Sequence, residues 1–247
     1  MVAMARIAIL IPTYNERDNI PLLIEEAFKN LSHNHHDLHI IIIDDSSPDG
    51  TGDLVMKIAE VNKNVHLLSR AGKYGLGSAY IDGFRWSLSN LSPDVFIQMD
   101  ADLSHPPYYL SNFVEEILKG YDVIIGSRYV KGGGSTSWSW YRKIISKGAN
   151  LFVHLIFRIK EKDATSGFRA LSRKAVNYLL NFTLSSKGYS YQIESLLLCS
   201  KLGLLIKEVP IIFFGRKKGR AKLSILEILR FAFSLIRLRA VRFNKSK

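Results

Sequence analysis

Continuous apolar runs, each closed by a polar loop and followed by a helical pattern, recur along the first half of this chain. Arg6 to Ile11 leads into Pro12-Thr13-Tyr14-Asn15-Glu16, then a helical spacing through Ile20, Leu23, Ile24, Ala27 and Phe28. Leu38 to Ile43 closes on Asp44-Asp45-Ser46-Ser47-Pro48-Asp49-Gly50-Thr51, then Leu54, Val55, Ile58 and Ala59. Val65 to Leu68 precedes a basic, glycine-rich loop from Arg70 to Gly77 and a helix over Gly75 to Leu88. Asp94 to Met99 ends in Asp100-Ala101-Asp102, and Tyr108 to Leu118 reads as the next helix. Unbroken apolar strands are buried on both faces, and their alternation with helices requires a mostly parallel sheet with right-handed crossovers. The fold class is therefore α/β, a mostly parallel central sheet flanked by helices, of the kind that binds nucleotides.

The second half is less regular. Tyr121 to Gly126 predicts a strand ending in Ser127-Arg128-Tyr129, and Gly132 to Ser137 has the composition of a mobile loop or of a plain linker. Helices are expected over Lys143 to Ile159, Arg173 to Leu180 and Gln192 to Leu202, with a turn-rich segment at Asp163 to Arg169 and a last strand over Leu204 to Phe213. The 247 residues suit one catalytic domain, residues 1–222, with an appended segment, 223–247. Cys199 is the sole cysteine, which excludes an intrachain disulfide and a two-thiolate metal site. The opening apolar run is too short for a signal peptide, so a cytoplasmic location is expected.

Charge is concentrated at one end. Gly215 to Lys247 carries eleven basic residues against Glu227 alone, which is +10 of the net +12 and leaves +2 for the rest. From Leu223 to Phe243, Glu227, Arg230, Ser234 and Arg237 share one helical face and Leu226, Leu229, Phe233 and Ile236 another. This C-terminal amphipathic helix carries too many charges to span a bilayer; it suits a membrane interface or a partner, with docking on the domain's own core as the alternative.

Ligands of open α/β sheets gather at the carboxyl ends of the strands, where Asp44-Asp45 and Asp100-Ala101-Asp102 both fall. On spacing alone, the Asp100 pair fits a turn with capping acids as well as a cation site. Arg128, Arg142, Arg216 and Lys222, each in a loop or near a helix start, could meet an anionic substrate.

Seven segments in order carry a resemblance. IPTYNERDNI, IIIDDSSPDGT, KYGLGSAYIDGF, MDADLSHPP, GSRYVKGG, DATSGFRALSR and GRKKGRAKLS are similar to segments of the family 2 glycosyltransferases of the GT-A fold. More narrowly, the chain resembles the dolichol-phosphate and polyprenol-phosphate mannose synthases, in their short form without transmembrane helices. The resemblance implies a nucleotide-sugar pocket of Pro12, Tyr14, Glu16, Asp44 or Asp45, Lys73 and Gly75, continued by Asp100, Ala101 and Asp102. Asp100 and Asp102 would hold Mg²⁺ or Mn²⁺ on the donor diphosphate. Some relatives add a Gln ligand where this chain has Ser104, which leaves that coordination position to Ser104 or water. Arg128, Ser135, Arg142, Arg216 and Lys222 match positions around the acceptor phosphate, although Ala221 replaces the Ser that precedes Lys222 in the family's Ser-Lys pair.

The implied reaction is inverting transfer of mannose from GDP-mannose to a dolichyl or polyprenyl phosphate. Asp102, Arg128, Arg142 and Arg216 are its expected catalytic residues. A phosphate acceptor is already anionic and needs no general base; Glu194 and Asp163 would serve if the acceptor were a hydroxyl. The implied setting is the cytoplasmic face of a membrane, reached through the C-terminal helix or a small anchoring subunit, without nucleic acid. Two alternatives stay open: UDP-glucose as donor, and a non-catalytic basic protein that binds membrane or nucleic acid. Against the latter, the acid pairs would repel a polyanion.

Overall fold

The computed structural model describes residues 4–31, 36–136, 138–184, 188, 190–215, 233, 235, 237 and 238. The first half follows the expected alternation: β1 (Arg6–Thr13), α1 (Ile20–Leu31), β2 (Asp37–Asp44), α2 (Thr51–Val61), β3 (Val65–Ser69), α3 (Leu76–Asn90) and β4 (Val95–Gln98). A single 3-10 turn, Pro107–Tyr109, leads into α4 (Leu110–Leu118), followed by β5 (Val123–Ser127), β6 (Gly134–Ser135) and α5 (Trp140–Phe157). Then come β7 (Arg169–Ser172), α6 (Arg173–Leu180), α7 (Tyr191–Lys201), β8 (Ile206–Pro210) and β9 (Ile212–Phe213).

Seven strands form the central sheet in the order β3-β2-β1-β4-β7-β5-β8. All neighbours are parallel except β7, which lies antiparallel between β4 and β5. Two expectations need correction. The single strand over Leu204 to Phe213 is two, because the chain changes partners at Ile211, whose N–H donates to the Ser127 carbonyl of β5 and whose carbonyl accepts from the Gly134 N–H of β6. The glycine-rich loop is not wholly irregular either: Gly134 and Ser135 pair with Ile212 and Phe213 in a small parallel ribbon.

Side chains alternate across a strand, so β1 feeds two cores. Ile7, Ile9 and Ile11 pack with Ile20, Leu23 and Ala27 of α1 and Phe113 and Val114 of α4. Ala8 and Leu10 pack on the other side with Tyr80 and Phe84 of α3, Val176 of α6 and Leu196 of α7. Leu235 and Leu238 are buried in this second core, while Phe233 is exposed. Part of the C-terminal segment thus packs on the domain itself, and the rest of that predicted helix lies outside the described residues.

Helix α3 sits close to the sheet because of Gly83. A Cβ there would lie 2.4 Å from Leu10 Cδ2 and 2.5 Å from Ile43 Cδ1. Helix propensity favours Gly83→Ala by about 1 kcal/mol, but overpacking costs about 1–3 kcal/mol. Net destabilisation is expected, visible as a lower urea midpoint; an unchanged or higher midpoint would mean that the two side chains repack freely.

At the outer edge of the sheet, His66 Nε2 lies 3.1 Å from His39 Nδ1, and the His66 ring packs on Trp86. Burial, helped by His39, holds the His66 pKa below its usual value. A depressed histidine pKa favours the neutral form, so its stabilisation is complete above about pH 6.5 and is lost as pH falls towards the folded value. Stability is expected to fall between pH 7 and 5, and less steeply in His66→Gln; identical slopes in denaturation titrations would remove His66 from this account.

Candidate active site

The carboxyl ends of β1, β2, β4 and β5 and the start of β7 share one edge of the sheet. Three non-glycine residues with positive φ lie in the loops there: Asn15 (61°), Ser46 (53°) and Leu103 (60°). Such conformations cost roughly 1–3 kcal/mol each and persist where surrounding bonds over-determine them. Here the Asn15 N–H donates to Ser47 Oγ, and the Ser46 hydroxyl donates to the Arg70 carbonyl.

The two acids that end β2 have separate jobs. Asp44 is buried and accepts from the Thr13 hydroxyl (2.9 Å) and the Ser47 N–H (2.9 Å), so it builds the loop. Asp45 pairs with Arg70 at 2.6 Å, and burial raises its pKa despite that partner. Arg70 also meets Asp82 and the Ser78 hydroxyl. Beside them the Lys73 ammonium stands 3.0 Å above the centre of the exposed Tyr14 ring. Glu16 accepts from Asn19, Pro12 is half-buried, and Gly75, at φ 98°, starts α3. The predicted nucleotide-pocket residues of the first three loops therefore share this edge, and an aromatic ring with a cation above it is a surface on which a base could stack.

After β4 the chain delivers the acid pair in two settings. The Asp100 side chain is 43% exposed, whereas Asp102 is buried and accepts the Ser104 N–H at 3.0 Å. Ala101 is buried between them. The Asp100 N–H donates to Nδ1 of His105 at 3.0 Å, which requires a neutral ring with its proton on Nε2. Burial pushes the His105 pKa below its usual value against the pull of Asp100 and Asp102, and the ring stacks on Phe168 at 4.9 Å. His105 thus holds the Asp100 backbone in place, a role that sequence reading missed although it lies five residues from Asp100.

Ser104 is fully buried, and its hydroxyl has no hydrogen-bond partner among the described residues. Two carboxylates and an uncommitted hydroxyl are hard oxygen donors. Among the described residues, no group of three or more His, Cys, Asp and Glu could hold a metal. The set accordingly fits a cation such as Mg²⁺ or Mn²⁺ that takes one or two carboxylates and completes its shell with water and substrate phosphate.

The basic half of the site is organised around Trp138. The Arg128 guanidinium lies 5.2 Å from its ring centre and that of Arg142 4.6 Å. Arg128 forms a fork with Asp163, Nε to Oδ2 at 2.7 Å and Nη2 to Oδ1 at 2.6 Å, and reaches Thr165 at 2.9 Å. Burial lowers the Arg128 pKa, but Asp163 outweighs it and the net shift is upward, with Asp100 adding to the rise. The acid and basic halves are therefore near enough to feel one another. Ser135 is half-exposed in the β6–β9 ribbon. Arg216 and Lys222 lie outside the described residues.

Neither candidate base is placed for proton transfer. Asp163 is fully buried against Arg128, and Glu194 is fully buried in α7. Between the halves, a Cβ on Gly167 would lie 3.5 Å from Gln192 Nε2, 3.7 Å from His105 Cε1 and 3.9 Å from Asp100 Oδ1. Neither amide atom of the buried Gln192 has a hydrogen-bond partner among the described residues. Arg169 is buried and donates to the carbonyls of Ala164, Ser166 and Gln192, pinning the 163–167 turn to α7; burial lowers its pKa to about 10. Nothing in local spacing distinguishes Gln192 or Arg169 from surface polar residues.

The family model described as Glycosyl transferase family 2 matches residues 8–180. The chain belongs to glycosyltransferase family 2. This glycosyltransferase is 39% identical over 223 residues to a polyprenol monophosphomannose synthase of Mycolicibacterium smegmatis, covering 89% of this chain and 81% of that protein. It is 38% identical over 219 residues to an undecaprenyl-phosphate mannosyltransferase of Micrococcus luteus, covering 89% and 88%. Its fold matches mannosyl-3-phosphoglycerate synthase from Rubrobacter xylanophilus with a TM-score of 0.69 at 16% identity, covering 96% of this chain and 73% of that one. It also matches glucosyl-3-phosphoglycerate synthase from Mycobacterium tuberculosis, crystallised with Mn²⁺, UDP-glucose and phosphoglyceric acid, with a TM-score of 0.68 at 19% identity over 96% and 81%. No helix among the described residues is long and apolar enough to cross a membrane.

Proposed function

We propose that this glycosyltransferase moves mannose from GDP-mannose to a dolichyl or other polyprenyl phosphate, forming a β-linked lipid-phosphate mannose and GDP at the cytoplasmic face of a membrane. The observation that carries this reading is the pairing of Arg128 and Arg142 around Trp138, near the acid pair, while both candidate bases are buried. An acceptor hydroxyl would need a base; an acceptor phosphate needs cations to let it approach a diphosphate. The names of the two relatives, which share nearly two-fifths of their residues with this chain, point to the same acceptor class.

In this reading an oxygen of the lipid phosphate attacks C1 of the α-linked mannose as the bond from C1 to the diphosphate breaks, inverting the anomer. Asp100 and Asp102 are the residues that would hold Mg²⁺ or Mn²⁺, whose chemistry there is neutralisation of the diphosphate. Tyr14, Lys73, Pro12, Glu16 and Asp45 hold the nucleotide. Arg128 and Arg142, with Ser135, Arg216 and Lys222, align the attacking phosphate and offset its charge. Asp163 fixes the direction of the Arg128 fork. The basic C-terminal segment, or a small anchoring subunit, keeps the enzyme at the lipid surface.

Incubating the protein with a divalent cation, a polyprenyl phosphate and a panel of labelled sugar nucleotides tests the proposal. Label from GDP-mannose is expected in the lipid phase, as a β-linked product. Transfer from UDP-glucose and not from GDP-mannose would overturn the donor assignment.

A further inference from the structure

The first turn of α7 buries an amide that bonds to nothing near it. Gln192 is 2% exposed, and neither its Oε1 nor its Nε2 has a hydrogen-bond partner among the described residues. Buried polar atoms are nearly always paired, so an orphaned donor and acceptor on one side chain call for an explanation. Loose packing does not supply it, because the residue is firmly placed: Arg169 Nη1 donates to the Gln192 carbonyl at 2.6 Å and to Ser195 Oγ at 3.2 Å. The amide faces the half-exposed Gly167. A Cβ there would sit 3.5 Å from Gln192 Nε2 and 3.9 Å from Asp100 Oδ1, in ordinary contact with both, so the glycine leaves a cradle between the amide and the acid pair. The Tyr80 hydroxyl, from α3, is a second orphan close by. It is fully buried without a partner among the described residues, its ring stacks on Tyr191 at 5.7 Å, and burial, with the charge of Asp100, pushes its pKa well up.

The cradle lies where a transferred group has to pass. The turn over residues 163–167 joins the two halves of the site, with Asp163 holding Arg128 at one end and Gly167 beside Asp100 at the other. A sugar between a diphosphate at the acid pair and an acceptor phosphate at Arg128 crosses that turn. We infer that Gln192 is a specificity-determining residue that reads the donor sugar, its amide spanning two adjacent hydroxyls across the Gly167 cradle. A primary amide suits a vicinal diol, since Oε1 accepts from one hydroxyl while Nε2 donates to the next. Because the amide is buried and already in position, a sugar lacking one of those hydroxyls leaves it unpaired and is rejected. The inference rests on the proposed function for bringing a sugar nucleotide here, and deepens it by naming the group that reads the sugar.

Calorimetric binding of GDP and GDP-mannose to the full chain with Mg²⁺, in wild type, Gln192→Met and Gly167→Ala, tests it. Gln192→Met is expected to bind GDP within about twofold of wild type but GDP-mannose about tenfold to a hundredfold more weakly, the loss that two hydrogen bonds bring. Its melting temperature should stay the same or rise, because an apolar side chain of similar shape removes an unpaired amide. Gly167→Ala, whose methyl group fills the cradle, should show the same split between GDP and GDP-mannose. Donors lacking one mannose hydroxyl at a time give the sharper readout: wild type should lose affinity for two of them, altered at adjacent carbons, and Gln192→Met should be indifferent to those two. Equal losses in both proteins would overturn the inference. So would a lower melting temperature of Gln192→Met with wild-type affinity for GDP-mannose, which would make the amide a structural group. Failure of the functional reading looks different: if wild type gains affinity from the sugar of UDP-glucose and not from that of GDP-mannose, the donor assignment falls, and loss of that gain in Gln192→Met would still support the role of Gln192.

Discussion

Asp102→Asn is expected to lower sugar transfer by about 10²–10³-fold, the loss typical of removing one group that stabilises charge in a transition state. The side chain is buried in the loop after β4 and accepts the Ser104 N–H, a bond that an amide oxygen can still accept. Folding stability should therefore change by no more than about 1 kcal/mol, which separates this loss from a general loss of structure. Mn²⁺ binding, followed by electron paramagnetic resonance, should weaken in the same variant without reference to activity. A variant that keeps both the wild-type rate and wild-type Mn²⁺ binding would remove the acid pair from the chemistry.

The next largest effect concerns Arg128 and Asp163. Asp163 is fully buried and its carboxylate takes both arms of the Arg128 fork. Arg128→Ala leaves that charge uncompensated, which costs about 3–5 kcal/mol, whereas replacing both partners with apolar residues is often neutral. Arg128→Ala should thus lower stability sharply, and Arg128→Met/Asp163→Leu should restore most of it while staying inactive. Urea unfolding of the two single variants and the double variant gives the coupling directly. If the stable double variant transferred sugar at the wild-type rate, Arg128 would be a structural residue alone.

The parallel part of the fold was legible because each of its strands is an apolar run bounded by turn residues, as in Leu38 to Ile43. Strand β7 was not, since only Ala170 and Leu171 of its four residues are apolar and buried, and its place is fixed by pairing with strands distant in sequence. The β6–β9 ribbon escaped notice for the same reason: Gly134 and Ser135 have loop composition and acquire strand geometry only from Ile212 and Phe213. In the site, the acid pairs could be read because they end apolar runs. His105, Gln192 and Arg169 could not, because their roles come from burial and from neighbours brought together by the fold. Arg128 and Asp163 were each singled out, one for the acceptor and one as a reserve base, yet 35 residues separate them and only the structure joins them. For α5, spacing predicted a helix over Lys143 to Ile159, and only the structure shows that Asn150 and Val153 turn inward.

On the proposed function, this site handles a phosphate acceptor with cations and not a hydroxyl acceptor with a base. The most direct measurement compares polyprenyl phosphate with the matching polyprenol as acceptor, at equal concentration in the same vesicles, with labelled GDP-mannose and Mg²⁺ or Mn²⁺. The expected result is transfer to the phosphate alone, lost in Asp102→Asn. Comparable transfer to the free alcohol would contradict it.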